Sequence, residues 1–100
     1  MKKIINGKKY DTDTAKMVLS WGNNHTGFTY CHEELYLKKT GEFFLYGSGG
    51  PMSKYAQSCG DNCTSGGSEI IPLTEKKARL WVEKHGDADD YEEIFGEVEE

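Results

Sequence analysis

Residues 28–46, FTYCHEELYLKKTGEFFLY, are rich in aromatic and other side chains that favour β-strands. Thr40 and Gly41 supply a turn in the middle, so this stretch predicts a hairpin with strands at 28–37 and 42–46. The second strand is almost entirely apolar, which indicates a central position in a sheet that is covered on both faces. We therefore expect this hairpin to form the centre of the fold.

Two further elements are predicted before this hairpin. Asn6 and Gly7 suit the two central positions of a type I′ turn, where both residues need a positive φ, so residues 2–10 predict a first hairpin. Residues 12–21 predict a short helix that ends at Gly22, because polar capping residues precede apolar side chains at helical spacing. The apolar positions of this predicted helix are Ala15, Val18, Leu19 and Gly22, with Trp21 beside them.

The last third of the chain predicts one strand and two helices. Residues 69–73 form an apolar strand, and Pro72, which has no N–H to donate, confines its pairing to one side or marks its end. Thr74 caps a helix that ends at Gly86. The apolar stripe of this helix consists of Ala78, Trp81, Val82 and His85. A final helix over 88–95 leaves its carboxylates in water and buries Tyr91, Ile94 and Phe95.

The segments between these elements contain turn-forming residues. Residues 47–51, GSGGP, are expected to end the central strand, residues 52–56 to form a short strand, and residues 59–68 to form a loop. The 100 residues suit one α+β domain, with residues 96–100 as a frayed acidic tail. We expect an antiparallel sheet of about four to five strands, built on two hairpins and packed with one N-terminal and one or two C-terminal helices.

The charge of the chain is unevenly distributed. Eight of the 17 acidic residues lie in the last 14 positions, which contain no base, whereas the preceding 86 residues carry 12 bases and 9 acids. This distribution argues against general affinity for nucleic-acid phosphates, so direct nucleic-acid binding is not expected. The chain also lacks the roughly 20 apolar residues of a membrane span and the apolar stretch of a signal peptide. We therefore expect a cytoplasmic protein that does not associate with membranes.

The acidic end supplies the candidate site. The predicted partner-binding residues are Asp87, Asp89, Asp90, Glu92 and Glu93. Closely spaced carboxylates present phosphate-like charge to a basic groove on a partner, which is one interpretation of this segment. A solvated helix face that only keeps the chain in solution is the other. Three further acids after Gly96 are expected to matter less, because a frayed terminus loses entropy on binding. These acids are Glu97, Glu99 and Glu100.

The three cysteines raise the question of metal binding. Cys59 and Cys63 have the spacing of one half of a zinc site, and Cys31 with His32 supplies further ligand types. The second half of a zinc signature is missing, because no other cysteine pair and no spaced histidine pair occurs. A disulfide between Cys59 and Cys63 is not expected in a reducing cytoplasm. We expect three ordinary thiols, no metal and no cofactor.

Two other groups of residues suggest chemistry. Cys31 and His32 offer a nucleophile and a base, but neighbours on a strand point to opposite faces, so they are not placed to act as a catalytic pair. His32 and Glu34 share a face and are expected to interact, while His85 is expected to be half-buried on its helix. Residues 47–51 follow a strand as a phosphate-binding loop does, yet they lack its sequence motif and are interpreted as a turn.

Lysines cluster in both predicted hairpins. They are Lys2, Lys3, Lys8 and Lys9 in the first hairpin and Lys38 and Lys39 in the second. Together with Tyr10 they suit nucleic-acid binding by stacking and phosphate pairing. Lysines at hairpin edges also protect exposed strands from aggregation, and we favour this interpretation because the charge is modest and shares the chain with an acidic end.

Three segments resemble a known family. They are residues 4–15 (IINGKKYDTDTA), 39–55 (KTGEFFLYGSGGPMSKY) and 70–75 (IIPLTE). These segments are similar to small proteins from phages and mobile elements of Firmicutes, a group that includes anti-CRISPR inhibitors of type II RNA-guided nucleases. The resemblance implies a non-enzymatic inhibitor in the cytoplasm of a host bacterial cell, with a defence protein or ribonucleoprotein as its partner. It supplies no catalytic residues.

Two alternative functions remain open at the level of sequence. One is a small intracellular regulator, such as an antitoxin or an adaptor associated with transcription, that binds another protein. The other is a hydrolase or RNA-processing enzyme that depends on Cys31 and His32. Inhibition that saturates near one equivalent indicates a binding protein, whereas multiple turnovers indicate an enzyme.

Overall fold

The computed structural model describes residues 1–25, 27–60 and 63–96 of the chain. It confirms an α+β architecture. In chain order the elements are β1 (Lys2–Ile5), β2 (Lys8–Asp11), β3 (Lys16–Gly22), a 3₁₀ turn (Gly27–Thr29), β4 (Cys31–Leu37), β5 (Phe43–Gly49), β6 (Gln57–Gly60), β7 (Cys63–Ser65), β8 (Gly67–Leu73), α1 (Glu75–His85) and α2 (Ala88–Phe95). Among the helices of the described residues, none is long and apolar enough to cross a membrane.

The central sheet contains four antiparallel strands in the order β3-β4-β5-β8. The predicted central hairpin is confirmed as β4 and β5, in which Leu35 pairs with Leu45. Strand β8 lies at an edge of the sheet, and its Pro72 pairs with Phe44 of β5 on the inner side. The expectation that proline confines the last strand to one-sided pairing is therefore confirmed.

The first hairpin is confirmed but stands apart from the central sheet. Asn6 and Gly7 have φ angles of 52° and 77°, as a type I′ turn requires. Strands β1 and β2 pair only with each other among the described strands. The expectation of one sheet built on both hairpins is therefore wrong. The hairpin instead covers one face of the sheet through an apolar cluster of Tyr10, Tyr36, Phe44 and Ile70.

The two helices cover the other face of the sheet. Thr74 caps α1 by accepting a hydrogen bond from the N–H of Lys77, and α1 ends at Gly86 as predicted. The buried residues of this layer are Leu35, Phe43, Leu45, Ala78 and Val82. Trp81, Tyr91, Ile94 and Phe95 are partly buried against them, as is Ile71 of β8. The protein thus has three layers, with the hairpin, the sheet and the helices in that order.

The predicted helix over 12–21 is wrong, because β3 occupies Lys16–Gly22. The polar residues before it form a turn, in which Ala15 N–H donates to the carbonyl of Asp11 at 3.0 Å. The pairing of β3 with β4 shifts register between Met17 and Leu19. A bulge of this kind interrupts the alternation of a strand, so Val18 and Leu19 both contact the helix layer. Val18 and Leu19 are adjacent and partly buried, and they follow Ala15 by three and four residues, which is the spacing that suggested a helix.

The predictions for the central loops are also wrong. Strand β5 continues through Gly49, residues 52–56 form turns, and part of the predicted loop at 59–68 belongs to β6, β7 and β8. The glycines in β5 permit the close approach of another segment, because a Cβ on Gly47 would overlap the ring of Tyr55. They are required by packing, and they do not end the strand.

Candidate functional site

The five predicted partner-binding residues lie together on α2 and at its N-cap. Asp87, Asp89, Glu92 and Glu93 are exposed, and Asp90 is partly exposed. The helix spans Ala88–Phe95, as the sequence predicted. Glu97, Glu99 and Glu100 lie outside the described residues.

Two of the five carboxylates cap the N-terminus of α2. Asp87 accepts a hydrogen bond from the N–H of Asp90 at 2.9 Å, and Asp90 accepts one from the N–H of Asp87 at 3.2 Å. This reciprocal capping box satisfies two backbone donors that a helix terminus leaves unpaired. The side chains of Asp89, Glu92 and Glu93 make no hydrogen bond or ion pair within the described residues, so they are the ones available to a partner.

The apolar side of α2 fixes the direction of the acidic side. The ring of Phe95 lies 5.4 Å from that of Phe43, and the ring of Tyr91 lies 5.0 Å from that of Phe95. Arg79 of α1 donates to the hydroxyl of Tyr91 at 3.1 Å. The predicted burial of Tyr91, Ile94 and Phe95 is partial, since each keeps some exposure. This packing orients the opposite, acidic side towards solvent.

A second cluster, which the sequence analysis did not identify, surrounds Glu33. This glutamate is fully buried on the helix side of β4. Lys54 Nζ lies 2.7 Å from Oε2, which also accepts a hydrogen bond from the hydroxyl of Tyr55. Trp81 Nε1 donates to Oε1 at 3.3 Å, and His85 Nε2 lies 3.7 Å from the same oxygen. Four side chains from two separate segments thus converge on one carboxylate.

The electrostatics of this cluster keep Glu33 ionised. Burial alone raises the pKa of Glu33, but hydrogen bonds from Lys54, Tyr55 and Trp81 outweigh it and bring the pKa below its usual value. Burial, reinforced by the hydrogen bond to Glu33, raises the pKa of the Tyr55 hydroxyl. Burial lowers the pKa of His85, although Glu33 opposes this effect. At neutral pH the cluster therefore contains a carboxylate, an ammonium, a neutral phenol and a neutral imidazole.

The candidate catalytic residues are kept apart. Cys31 is buried on the same face as Glu33, whereas His32 faces the opposite side, where its Nε2 lies 3.6 Å from Glu34. Burial raises the pKa of the Cys31 thiol and Glu33 raises it further, which disfavours the nucleophilic thiolate. The predicted separation of Cys31 and His32 and the predicted contact of His32 with Glu34 are both confirmed. The side chain of His85 is 7 % exposed, so it is more deeply buried than predicted, and its ring lies 4.2 Å from that of Trp21 and 5.0 Å from that of Trp81, tilted against both.

Two of the six lysines of the hairpins contact the same glutamate. Lys8 Nζ and Lys38 Nζ lie 3.1 and 3.4 Å from the carboxylate of Glu42. The Lys38 ammonium also lies 4.2 Å from the centre of the Tyr10 ring. Part of the basic charge is therefore neutralised within the chain.

Metal ligands are not gathered in the described part of the protein. No group of three or more His, Cys, Asp or Glu residues is placed there to hold a metal ion. The side chains of Cys59 and Cys63, which supply the half zinc signature, lie outside the described residues.

Acid is expected to destabilise the protein in two steps. The lowered pKa of His85 means that its contribution is present above the unfolded value of 6.5 and is lost as pH falls through the folded pKa. The lowered pKa of Glu33 means that its contribution is lost at lower pH, below the unfolded value of 4.5. Urea unfolding between pH 7 and pH 3 measures both steps. The Glu33→Gln variant should lack the lower one, and identical pH profiles for variant and wild type would contradict this assignment.

Comparisons with family models, with curated proteins and with solved structures found no match to the chain. The candidate sites therefore rest on the geometry described above.

Proposed function

We propose that the protein is a non-enzymatic, anti-CRISPR-like inhibitor that binds a host defence ribonucleoprotein or nuclease. The contact is the acidic face of α2, defined here as Asp89, Glu92 and Glu93, which docks against a basic groove of the partner. The resemblance of the three sequence segments supports the class of partner. The arrangement of these three carboxylates supports the surface.

The spacing of the acidic face carries the proposal. Residues 89, 92 and 93 stand at i, i+3 and i+4, so their side chains project from one side of the helix. Like charges at this spacing repel one another and weaken an isolated helix, and no lysine or arginine pairs with them among the described residues. A basic groove removes this repulsion on binding and attracts the protein over a distance, which accelerates association.

The experiment neutralises this face without disturbing the helix cap. The triple variant Asp89→Asn, Glu92→Gln, Glu93→Gln leaves Asp87 and Asp90 in place, so the capping box persists. We expect its association with the target nuclease to be about tenfold slower at low salt, because steering by charge is lost. The salt dependence of the association rate should also become flatter.

A matched control variant separates the effect of the charge on α2 from the effect of the net charge of the protein. Asp13, Glu69 and Glu83 are exposed acids outside α2, and neutralising them changes the total charge by the same amount. This control should retain the association rate and the salt dependence of the wild type. Equal rates for the two triple variants, with equal melting temperatures, would remove the acidic face from the binding surface.

A further inference from the structure

Residues 50–56, between β5 and β6, form a strap across the helix side of the central sheet. The strap is held to residues 27–30 by two backbone hydrogen bonds, from Gly50 N–H to the carbonyl of Tyr30 at 3.0 Å and from Met52 N–H to the carbonyl of Phe28 at 2.7 Å. Two further bonds, from Ser53 and Ala56 N–H, close turns within the strap. Two of these four backbone bonds reach another segment, and the other two stay within the strap.

Glycine residues form the surface of the sheet beneath the strap. A Cβ on Gly47 would overlap the ring of Tyr55, and one on Gly49 would overlap the side chain of Ser53. On β8, a Cβ on Gly67 would overlap the carbonyl of Tyr55. Because these glycines have no side chains, the strap lies close to the sheet. For the same reason, it buries little apolar surface there.

The side chains of the strap make one deep attachment. Tyr55 is 5 % exposed, whereas Met52 is 71 % exposed and the side chain of Lys54 is 61 % exposed. The Tyr55 hydroxyl and the Lys54 ammonium both contact Oε2 of Glu33. The attachment of the strap thus depends on one aromatic ring and one charged carboxylate.

We propose that the strap opens as a unit, ahead of global unfolding, when Glu33 loses its negative charge or its contact with Lys54, and that this opening uncovers the Cys31 thiol. Local opening of this kind occurs where buried apolar contacts are few. A buried carboxylate that loses its cationic partner is strongly destabilising, so the contact between Lys54 and Glu33 controls the closed state.

The groups that face Glu33 identify what changes on acidification. Lys54 and Tyr55 face it from the strap and His85 from α1, while Cys31 lies two residues before it on β4. The charge of Glu69 on β8 raises the pKa of Tyr55, and the charge of Lys84 on α1 lowers the pKa of His85. Protonating Glu33 removes the charge that holds Lys54. Protonating His85 places a second cation beside Glu33, which competes with Lys54 for the carboxylate. Both changes weaken the attachment of the strap.

The buried thiol of Cys31 provides a reporter. Cys31 is 9 % exposed, and its thiol interacts electrostatically with both Glu33 and Lys54. It pairs with Gly49, whose open face is covered by Ser53 of the strap. Release of the strap therefore exposes the thiol without separating the strands of the central sheet.

The experiment measures labelling of Cys31 by a methanethiosulfonate reagent in a Cys59→Ser, Cys63→Ser background. Rates are taken against urea and pH and are divided by the rate of an unstructured cysteine peptide under the same conditions. Labelling at low urea should depend only weakly on urea, as local opening requires. Lys54→Met and Tyr55→Phe should each accelerate it about tenfold or more, which corresponds to about 1.4 kcal/mol. The exposed control Lys76→Met should not change it.

The pH profile distinguishes the proposal from a general loss of stability. Acidification should accelerate labelling of the parent protein, whereas Glu33→Gln should label rapidly with the weaker pH dependence that His85 alone leaves. Labelling that follows the full urea dependence of global unfolding in every variant would overturn the proposal. Equal rates for Lys54→Met and Lys76→Met would also overturn it, and this comparison does not require Glu33→Gln to fold.

Discussion

Truncation of Phe44 to alanine is expected to lower the free energy of unfolding by about 3–5 kcal/mol. Phe44 is fully buried on the hairpin side of β5. Its ring stacks on Tyr36 at 5.2 Å and meets the edge of Tyr10 at 5.5 Å. The substitution removes a large apolar side chain and leaves a cavity between the hairpin and the sheet, so both the transfer and the cavity contributions are lost. A domain of this size has about 5–15 kcal/mol of stability, so most of it is at risk.

Phe28 offers a matched control for this prediction. It is the same residue type but is 68 % exposed, so Phe28→Ala should change the free energy of unfolding by no more than about 0.5 kcal/mol. Urea unfolding of the two variants at neutral pH gives both values. Equal effects at the two positions would show that the cluster around Phe44 is not the core of the hairpin layer.

Replacement of Glu33 by alanine should cost a similar amount, about 3–5 kcal/mol, through a different mechanism. The substitution leaves the Lys54 ammonium, the Tyr55 hydroxyl and the Trp81 N–H without the acceptor that they share. Buried donors that lose their acceptor keep their desolvation cost and lose its compensation. The strap and the C-terminal end of α1 are then both without their polar attachment to the sheet.

The neighbouring residue provides the control for this second prediction. Glu34 lies on the opposite face of β4, where its side chain is 26 % exposed, 3.6 Å from His32 and within a 3.3 Å hydrogen bond of the Tyr36 hydroxyl. Glu34→Ala should therefore cost no more than about 1 kcal/mol. Chemical denaturation compares the two glutamates directly, and a cost for Glu33→Ala as small as that for Glu34→Ala would show that the buried cluster is not a structural centre.

The parts of the fold that depend on local signals were predictable from the sequence. The Asn6-Gly7 turn, the turn between β4 and β5, both C-terminal helices and the caps of α1 follow from backbone preferences and helical spacing within short windows. The acidic face of α2 was predictable for the same reason, because one short helix carries all its residues.

The wrong predictions concern segments in which long-range packing overrides the local preference of the backbone. The bulge in β3 places Val18 and Leu19 in the same layer, which no local rule for strands anticipates. Gly47 and Gly49 favour turns by local preference. They nevertheless belong to β5, where a side chain on either residue would overlap the strap. The first hairpin was predicted correctly, but its separation from the central sheet depends on which face it covers.

The cluster around Glu33 could not be predicted from the sequence, for a related reason. Its partners come from residues 54–55 and 81–85, so only the folded chain brings them together. One signal was present, since Glu33 shares the parity of Leu35 and Leu37 on β4 and is thus a charge on an otherwise apolar face. A buried carboxylate requires partners, and that requirement was the clue to a cluster.

The most direct test of the proposed function is a titration of the purified protein into a type II RNA-guided nuclease loaded with its guide. We expect cleavage of target DNA to fall in proportion to added protein, with complete inhibition near one equivalent. We also expect the nuclease and its guide RNA to remain intact in the inhibited complex. Full cleavage activity in the presence of a large excess of the protein, with no complex on gel filtration, would contradict it, as would inhibition by catalytic amounts that degrade the guide or the nuclease.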